Sequence, residues 1–369
     1  MTIVSPGAFV RRRMILVTGM HRSGTSALTR ALNLYGISLP SDLVGANYAN
    51  VDGFWEPSPV VLLHDELLAS LGFTWDDIRE FPTDWFDTAA AVQYRDRLWN
   101  AIQADLTVRG QLLVKDPRLC RLAPLWLRMG PEQDVDLSFV IPPRNPIDVA
   151  ASLAHRNKMP RGKALLLWLR HFLEAERATR GARRCFVAYE HLMQDWKSTI
   201  RTIVSTLDLP LPERYSDVAE QIEGFLKMSR WHHRRTHDEL MPSWVRGAYE
   251  WGLSATRGSD KDFMMLDAIH EGLHAAEEIY RPLIDLCDSE FGDQLAERNA
   301  AVRTLEEARA AWEDERQNLC DERRELLAAQ EVMSKALVQA EQAREISKST
   351  CWRLTSPLRW LGKLVLRRS

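Results

Sequence analysis

The chain has 369 residues, and its 48 Lys and Arg nearly balance its 51 Asp and Glu, which leaves a net charge of −3. This balance excludes a dedicated nucleic-acid-binding protein, because such a domain is usually strongly basic. The sequence contains no apolar run long enough to cross a membrane and no signal peptide. Its five scattered cysteines form no C-x-x-C pair, so we expect a protein of the reducing cytoplasm.

Short apolar runs alternate with helical patterns over most of the chain. The predicted strands are 14–18, 111–114, 135–141 and 184–188. The predicted helices are 24–35, 58–71, 88–108, 146–157, 163–179 and 190–207. This alternation predicts an α/β fold with a mainly parallel sheet and helices on both faces. We assign residues 1–290 to one such catalytic domain.

The first predicted strand leads into a loop that contains Gly19 and Gly24 and then into a helix. Such a loop presents backbone N–H groups to an anion, and the helix dipole adds to the attraction. The spacing of the two glycines is that of the P-loop of nucleoside triphosphatases. Thr25 stands where that loop needs a lysine for the outer phosphates, and the cation is Arg22 instead. The loop predicts an anion site, with a capped tight turn as the alternative.

Residues 21–26, His-Arg-Ser-Gly-Thr-Ser, resemble the phosphosulfate-binding loop of the sulfotransferases that use 3′-phosphoadenosine 5′-phosphosulfate. The family pattern is roughly P-[KR]-S-G-T-[ST], and His21 stands at the usual proline. The resemblance implies a P-loop-like fold and this nucleotide as co-substrate. The residues that it assigns to the phosphosulfate are Arg22, Ser23, Gly24, Thr25 and Ser26.

A second match to the family follows the strand 135–141. Arg144 and Ser152 have the spacing with which these enzymes hold the 3′-phosphate, from a strand end and the next helix. Arg156 lies four residues beyond Ser152 on the same helix face, so the resemblance gives it the role of a second cation. The alternative is an ordinary helix with solvated arginines.

Residues 186–192, Phe-Val-Ala-Tyr-Glu-His-Leu, resemble the family's V-x-Y-E-x-L segment, whose tyrosine lies near the adenine. The resemblance implies that the Tyr189 ring stacks on the adenine base of the nucleotide. The alternative is that Tyr189 packs in the core with its hydroxyl in a hydrogen bond. The sequence leaves both readings open.

The expected chemistry is an in-line sulfuryl transfer, which needs a base for the acceptor hydroxyl and cations near the bridging oxygen. The strand 111–114 ends in a Lys-Asp-Pro turn like that of the tyrosylprotein branch, which implies that Lys115 acts beside Arg22 on the transferring group. Glu56, in a loop before a helix, is the first candidate for the base. His64 on that helix is its rival, because the cytosolic branch uses histidine.

A dense set of aromatic residues between 54 and 86 is compatible with a carbohydrate acceptor, and core packing is the alternative. We expect no metal, since the sulfuryl group carries less charge than a phosphoryl group. Two other functions stay open. The first is a P-loop kinase or nucleoside triphosphatase, and the second is a non-catalytic nucleotide-binding scaffold.

Residues 293–348 contain no Gly or Pro, and apolar residues recur there every seven positions from Leu305 to Ala340. This period predicts a long helix and a coiled coil that joins copies of the chain. Arginines at the second seam position weaken the coiled-coil pattern, so a solvated helix lying on its own catalytic domain is the alternative.

Residues 349–369 form a basic amphipathic tail with five Lys or Arg and no acidic residue. Such a tail predicts peripheral attachment to the inner face of the membrane or docking on a partner. Residues 349–361 resemble an S-x-S-W-R-[LIV]-T-x-P-L-R segment found beside glycosyltransferase domains of surface-polysaccharide synthesis. The resemblance implies a glycosyltransferase complex as a partner.

Overall fold

The computed structural model describes residues 12–45, 53–210, 215–228, 241–258, 262–348 and 355. Within these residues four parallel strands form one sheet in the order β2-β1-β3-β4. The strands are β1 (Arg12–Val17), β2 (Gln111–Lys115), β3 (Val135–Ile141) and β4 (Arg183–Phe186). The predicted α/β class with a parallel sheet is confirmed.

Eleven α-helices and a 3-10 helix (Thr83–Asp87) accompany the strands in the described part of the chain. They are α1 (Thr25–Tyr35), α2 (Ser58–Ser70), α3 (Ala89–Arg109), α4 (Leu119–Glu132), α5 (Pro146–Asn157), α6 (Arg161–Ala178), α7 (Tyr189–Gln194), α8 (Trp196–Thr206), α9 (Tyr215–Met228), α10 (Ser243–Ala255) and α11 (Met264–Lys348). No described helix combines the length and apolar character that a membrane span needs.

The helices differ from the prediction in two ways: three of them (α4, α9 and α10) were not predicted, and one predicted helix is divided. The helix α4 carries Pro124 and Pro131 inside it, and proline removes a backbone donor from a helix. The predicted helix 190–207 is two helices, α7 and α8. Asp195 lies between them, and its carboxylate caps α8 by accepting a hydrogen bond from the Ser198 backbone N–H at 3.0 Å.

The central strand β1 faces two separate hydrophobic clusters. Met14 and Leu16 pack into the cluster on one face of the sheet, whereas Ile15 and Val17 pack into the cluster on the other. All four side chains are fully buried. A strand that is covered on both faces has a continuous apolar sequence, which explains why β1 could be predicted from the sequence.

The chain divides into two units, Met1–Arg281 and Pro282–Ser369. The helix α11 begins in the first unit and includes the whole of 293–348, so the predicted long C-terminal helix is confirmed. The domain limits at 290 and 293 stay predictions. The tail 349–369 lies outside the described residues apart from Thr355, so its attachment to a membrane or a partner also stays a prediction.

The order of the strands locates a crevice. The chain moves from β1 to β2 on one side of the central strand, and then returns to place β3 and β4 on the other side. Ligands of open parallel sheets bind beyond the carboxyl ends of the strands at such a reversal. The loops after β1 and β3 therefore border the expected binding crevice.

A buried ion pair within the first unit holds the start of α11 against α6. Arg170 of α6 is fully buried, and its Nη2 donates to the carboxylate of Glu277 at 2.6 Å. The same carboxylate accepts a hydrogen bond from the Glu80 backbone N–H at 2.9 Å, and Arg170 Nε donates to the Ile78 carbonyl at 3.2 Å. These bonds join α6, α11 and the segment before the 3-10 helix.

We expect Glu277→Ala to lower the free energy of unfolding by about 3–5 kcal/mol, because Arg170 would keep a buried charge without its main counter-charge. Urea denaturation measures the change. Glu278→Ala, at an exposed neighbouring position, is the matched control and should stay within about 0.5 kcal/mol of the parent protein. Equal effects of the two substitutions would contradict the role of Glu277.

Candidate functional site

The loop between β1 and α1 is closely packed and strongly turned. The Thr18 backbone N–H donates to the Val140 carbonyl at 2.9 Å, which ties the loop to β3. Arg22 and Gly24 both have positive φ, 69° and 83°. Among the described residues, no side chain caps the first turn of α1, which begins at Thr25. Its first backbone N–H groups are thus available to an anion.

Tyr189 forms a wall of this loop. A Cβ atom on Gly24 would lie 2.1 Å from Cδ2 of Tyr189, so only glycine fits against the ring. The Arg144 guanidinium lies over the same ring, 4.3 Å from its centroid. Burial raises the pKa of the Tyr189 phenol. The ring is thus packed between the loop and Arg144 in this structure, and its role towards a base stays a prediction.

Three arginines converge beside the loop. Arg22 Nε donates to Ser152 Oγ at 2.7 Å, and Arg144 Nη1 donates to the Arg22 carbonyl at 2.6 Å. Burial, followed by the charges of Arg156 and Arg144, lowers the pKa of the Arg22 guanidinium. The positive charges of Arg156 and Arg144 thus add to the cost of burying the Arg22 guanidinium.

The cluster has no direct ion pair with a carboxylate in the part of the chain that the structure describes, although Glu190 is close enough to interact electrostatically with Arg144. There, none of the arginines 22, 144 and 156 forms an ion pair with a carboxylate, and Arg144 Nε is buried without an acceptor. A buried guanidinium N–H without a partner costs free energy that an anion would recover. The surface formed by Arg22, Arg144, Arg156 and Ser152 is therefore built for an anion; we call it the arginine cluster.

Lys115 and Glu56 form a second group next to the loop. Both are buried, and the Lys115 ammonium donates a hydrogen bond to the Glu56 carboxylate. Lys115 Nζ also lies 3.2 Å from the Phe54 carbonyl oxygen and 3.4 Å from Ser26 Oγ on α1. The end of β2, the start of α1 and the loop before α2 meet at this ammonium.

Backbone bonds on both sides fix the position of Glu56. The Val44 N–H donates to the Glu56 carbonyl at 2.8 Å, and the Ser58 N–H donates to the Asp42 carbonyl at 3.1 Å. Trp55 has a positive φ of 59°, and its ring lies beneath the Arg30 guanidinium at 4.5 Å. The carboxylate is thus held by a folded loop and not by a free one.

His64 is fully buried, and both of its ring nitrogens are engaged. Nδ1 lies 2.8 Å from Asp116 Oδ2, and Trp126 Nε1 donates to Nε2 at 3.0 Å. An indole N–H only donates, so Nε2 is the acceptor and the proton sits on Nδ1. Burial opposes ionisation of Asp116, but the charge of Arg118 and the bond from His64 bring the pKa of its carboxyl below the ordinary value.

Two residues near Lys115 were not assigned a role from the sequence. His21 packs its ring edge against Trp75, with centroids 4.4 Å apart, and its buried Nε2 has no partner among the described residues. Burial and the charges of Arg118 and Lys115 lower its pKa, so the imidazole is neutral. Arg118 Nη1 forms an ion pair with Asp116 at 3.0 Å. One feature of the sequence indicated that His21 has a role of its own, namely that it stands where the family pattern has a proline.

The structure brings most of the predicted site residues to one edge of the sheet. The loop residues 22–26 adjoin the arginine cluster on one side and Lys115 with Glu56 on the other. His64 lies behind the Lys-Asp-Pro turn. Among the described residues, no group of three or more His, Cys, Asp or Glu is arranged to hold a metal ion.

The aromatic residues between 54 and 86 divide into two sets. One set packs ring against ring in the core: Phe73, Phe81, Trp85 and Phe86. The other set is partly exposed beside the site: Phe54, Trp55 and Trp75. Only the second set is placed to meet a ligand.

Three solved structures that are described as sulfotransferases or sulfotransferase domains are similar to this chain. The sulfotransferase domain of the Synechococcus PCC 7002 olefin synthase matches at 16% identity and a TM-score of 0.38, over 64% of this chain and 93% of that one. The sulfotransferase domain of the curacin biosynthetic pathway matches at 15% identity and a TM-score of 0.38, over 65% and 96%. A sulfotransferase from Alicyclobacillus acidocaldarius matches at 18% identity and a TM-score of 0.33, over 58% and 91%.

No family model matches the chain, and no curated protein matches it. Because identity and TM-score are both low for the three structures, we infer the function from the geometry of the site.

We expect Gly24→Ala to destabilise the protein through two effects. The left-handed backbone costs about 1–2 kcal/mol for a non-glycine residue, and the contact with Tyr189 costs about 1–3 kcal/mol more. Urea denaturation of Gly24→Ala, Tyr189→Ala and the double variant isolates the second cost as a coupling energy. Gly45→Ala, at an open position, is the control and should change little. Strict additivity of the two substitutions would contradict the contact.

Proposed function

We propose that this protein is a sulfotransferase that moves the sulfuryl group of 3′-phosphoadenosine 5′-phosphosulfate to an acceptor hydroxyl. The observation that carries the proposal is the arginine cluster beside the N-terminus of α1. This nucleotide bears anionic groups at both the 3′ and the 5′ position of its ribose. The chain offers anion-binding groups on two neighbouring elements, whereas ATP would leave the cluster without an anion.

The unpartnered donor in the cluster fits a phosphate oxygen. Arg144 Nε is buried and lacks an acceptor within the described residues, and Ser152 Oγ lies close enough to Arg22 to share an anion with it. A 3′-phosphate would offset the burial and the neighbouring positive charges that lower the pKa of Arg22. The backbone N–H groups at the start of α1, with Thr25 and Ser26, would hold the 5′ side.

The second group supplies what the transfer step needs. As the acceptor oxygen bonds to sulfur, the bond between sulfur and the bridging oxygen of the 5′-phosphate breaks, and Glu56 takes the acceptor proton. Lys115 stabilises the negative charge that develops on the bridging oxygen. Its contact with Ser26 Oγ puts it between the loop and the base. The products are a sulfate ester and the 3′,5′-bisphosphate nucleotide.

The side-chain contacts of the two candidates favour Glu56 over His64 as the base. His64 spends both ring nitrogens on Asp116 and Trp126, so it has no free lone pair for a substrate proton. The Glu56 carboxylate has the Lys115 ammonium as its one hydrogen-bond partner among the described residues. An anionic sulfuryl group would compete for that ammonium and release the carboxylate when the donor is bound.

A carbohydrate is the acceptor that we favour. Phe54 and Trp55 adjoin Glu56 in the chain, Trp75 contacts His21 in the loop, and all three rings are partly exposed. Sugar rings stack well on aromatic faces. With the basic tail 349–369, this suggests a lipid-linked glycan at the cytoplasmic face of the membrane, reached in contact with a glycosyltransferase complex.

A thermal-shift comparison of 3′-phosphoadenosine 5′-phosphate, AMP and ATP with Mg²⁺ tests the proposal. A ligand of the native state at 100 times its dissociation constant stabilises the fold by about 2.7 kcal/mol. We expect the bisphosphate nucleotide to raise the melting temperature most. A larger shift with ATP and Mg²⁺ would favour a kinase or triphosphatase, and no shift with any nucleotide would contradict the proposal.

Arg144→Ala should weaken binding of the bisphosphate nucleotide by about 1.5–3 kcal/mol, since a charge-assisted contact to the 3′-phosphate is lost. Binding of AMP, which lacks that phosphate, should hardly change. Calorimetric titration of both nucleotides measures the difference. Arg109→Ala removes an arginine at the opposite edge of the sheet, before β2, and serves as the control. An equal loss for both nucleotides in Arg144→Ala would show that Arg144 supports the fold.

Glu56→Gln should keep the affinity for the bisphosphate nucleotide but lower turnover by about 10²–10⁴, the usual contribution of a positioned base. Release of that nucleotide from the sulfated donor, with a mixed glycan pool as acceptor, measures turnover. Glu66→Gln, at an exposed position of α2, is the matched control. If Glu56→Gln stays active and a folded His64→Gln is inactive, the base is His64.

A further inference from the structure

The helical part of the second unit carries an apolar column that nothing in its own described residues covers. Every described side chain from 301 to 348 is exposed except that of Asp321, which is partly so. The column repeats every seven residues, and its members are 59–71% exposed: Leu305, Trp312, Leu319, Leu326 and Met333. It spans four heptads, about 42 Å of helix. Helices in proteins owe most of their stability to the packing of such a face.

The residues between the members of the column are charged in a pattern that suits a second copy of the same helix. If the column is seam position d, the other seam position, a, is occupied by Val302, Leu337, Gln330 and three arginines. Glu315 and Glu322 occupy the g positions immediately before two of those arginines, Arg316 and Arg323.

In two parallel helices in register, an a residue lies beside the g residue of the other helix that precedes it. Arg316 then faces Glu315 of the second copy, and Arg323 faces Glu322 of the second copy. Each g residue also lies near the following e residue of the other helix. Glu315 then meets Cys320 of the second copy, and Glu322 meets Leu327, so no two acidic residues are brought together. The surface is complementary to itself, as a two-fold interface requires.

We propose that α11 joins two copies of this chain as a parallel, in-register, two-stranded coiled coil over residues 302–337. The apolar column forms the d layers of the seam. The arginines at a keep their aliphatic stems in the seam and their guanidinium groups at its edge beside the glutamates. The interface does not depend on the proposed enzymatic function.

A pair of matched substitutions tests the seam in the full-length protein. Leu326→Asp adds a charge at a position that is 71% exposed in one chain, and Val332→Asp adds the same charge at position c, which is 68% exposed. A single chain should tolerate both changes equally well. Only pairing through the seam makes Leu326→Asp the harmful one.

Light scattering after size exclusion gives the mass of each form. We expect about 85 kDa, twice 42.4 kDa, for the parent protein and for Val332→Asp, and a shift towards 42.4 kDa for Leu326→Asp. A monomeric parent protein, a mass of three or more chains, or equal behaviour of the two variants would overturn the proposal.

A charge exchange tests the parallel register. Arg316→Glu places like charges together, next to Glu315 of the second copy, and should raise the dissociation constant of the dimer. The double variant Glu315→Arg, Arg316→Glu restores opposite charges and should recover the affinity. Sedimentation velocity over a dilution series measures both. Failure of the double variant to recover would overturn the parallel, in-register arrangement.

Discussion

The crowding of three guanidinium groups at the carboxyl edge of the sheet is the constraint on which the rest of the site depends. Arg22, Arg144 and Arg156 repel one another, and burial makes the repulsion more costly. Ser152 and the Arg22 carbonyl take up some of their donors, and the Tyr189 ring supports Arg144 from below. A fold that maintains this arrangement without a direct ion pair to a carboxylate among the described residues keeps a place where an anion lowers the free energy.

The glycine loop is shaped by the same edge. Gly24 is needed because the Tyr189 ring leaves no room for a Cβ atom and because φ is positive there. Since Tyr189 starts α7 directly after β4, the loop after the central strand is shaped by a side chain from a distant part of the chain. The loop, the arginine cluster and the Lys115–Glu56 pair thus lie next to one another at the carboxyl edge of the sheet.

The strands of this protein could be predicted from the sequence better than its helices. Buried parallel strands such as β1 and β3 are short unbroken apolar runs, which little else in a sequence imitates. The helix α4 escaped prediction because two prolines interrupt its pattern, and its fully buried Trp126 bonds to His64 and not to any sequence neighbour. The break at Asp195 was also missed, because a capping aspartate within an apolar pattern resembles an ordinary exposed position.

The sequence by itself determined the class of fold, the anion loop without a Walker lysine, and the spacing of Arg144, Ser152 and Arg156. These are local features, since a loop, a strand end and a helix face each depend on nearby residues. Tertiary structure alone decided the neighbours of each charged side chain. It paired Glu56 with Lys115, engaged both nitrogens of His64, and left His21 Nε2 and Arg144 Nε without partners among the described residues. Such contacts join residues far apart in the chain, and their energies depend on burial that no local pattern reveals.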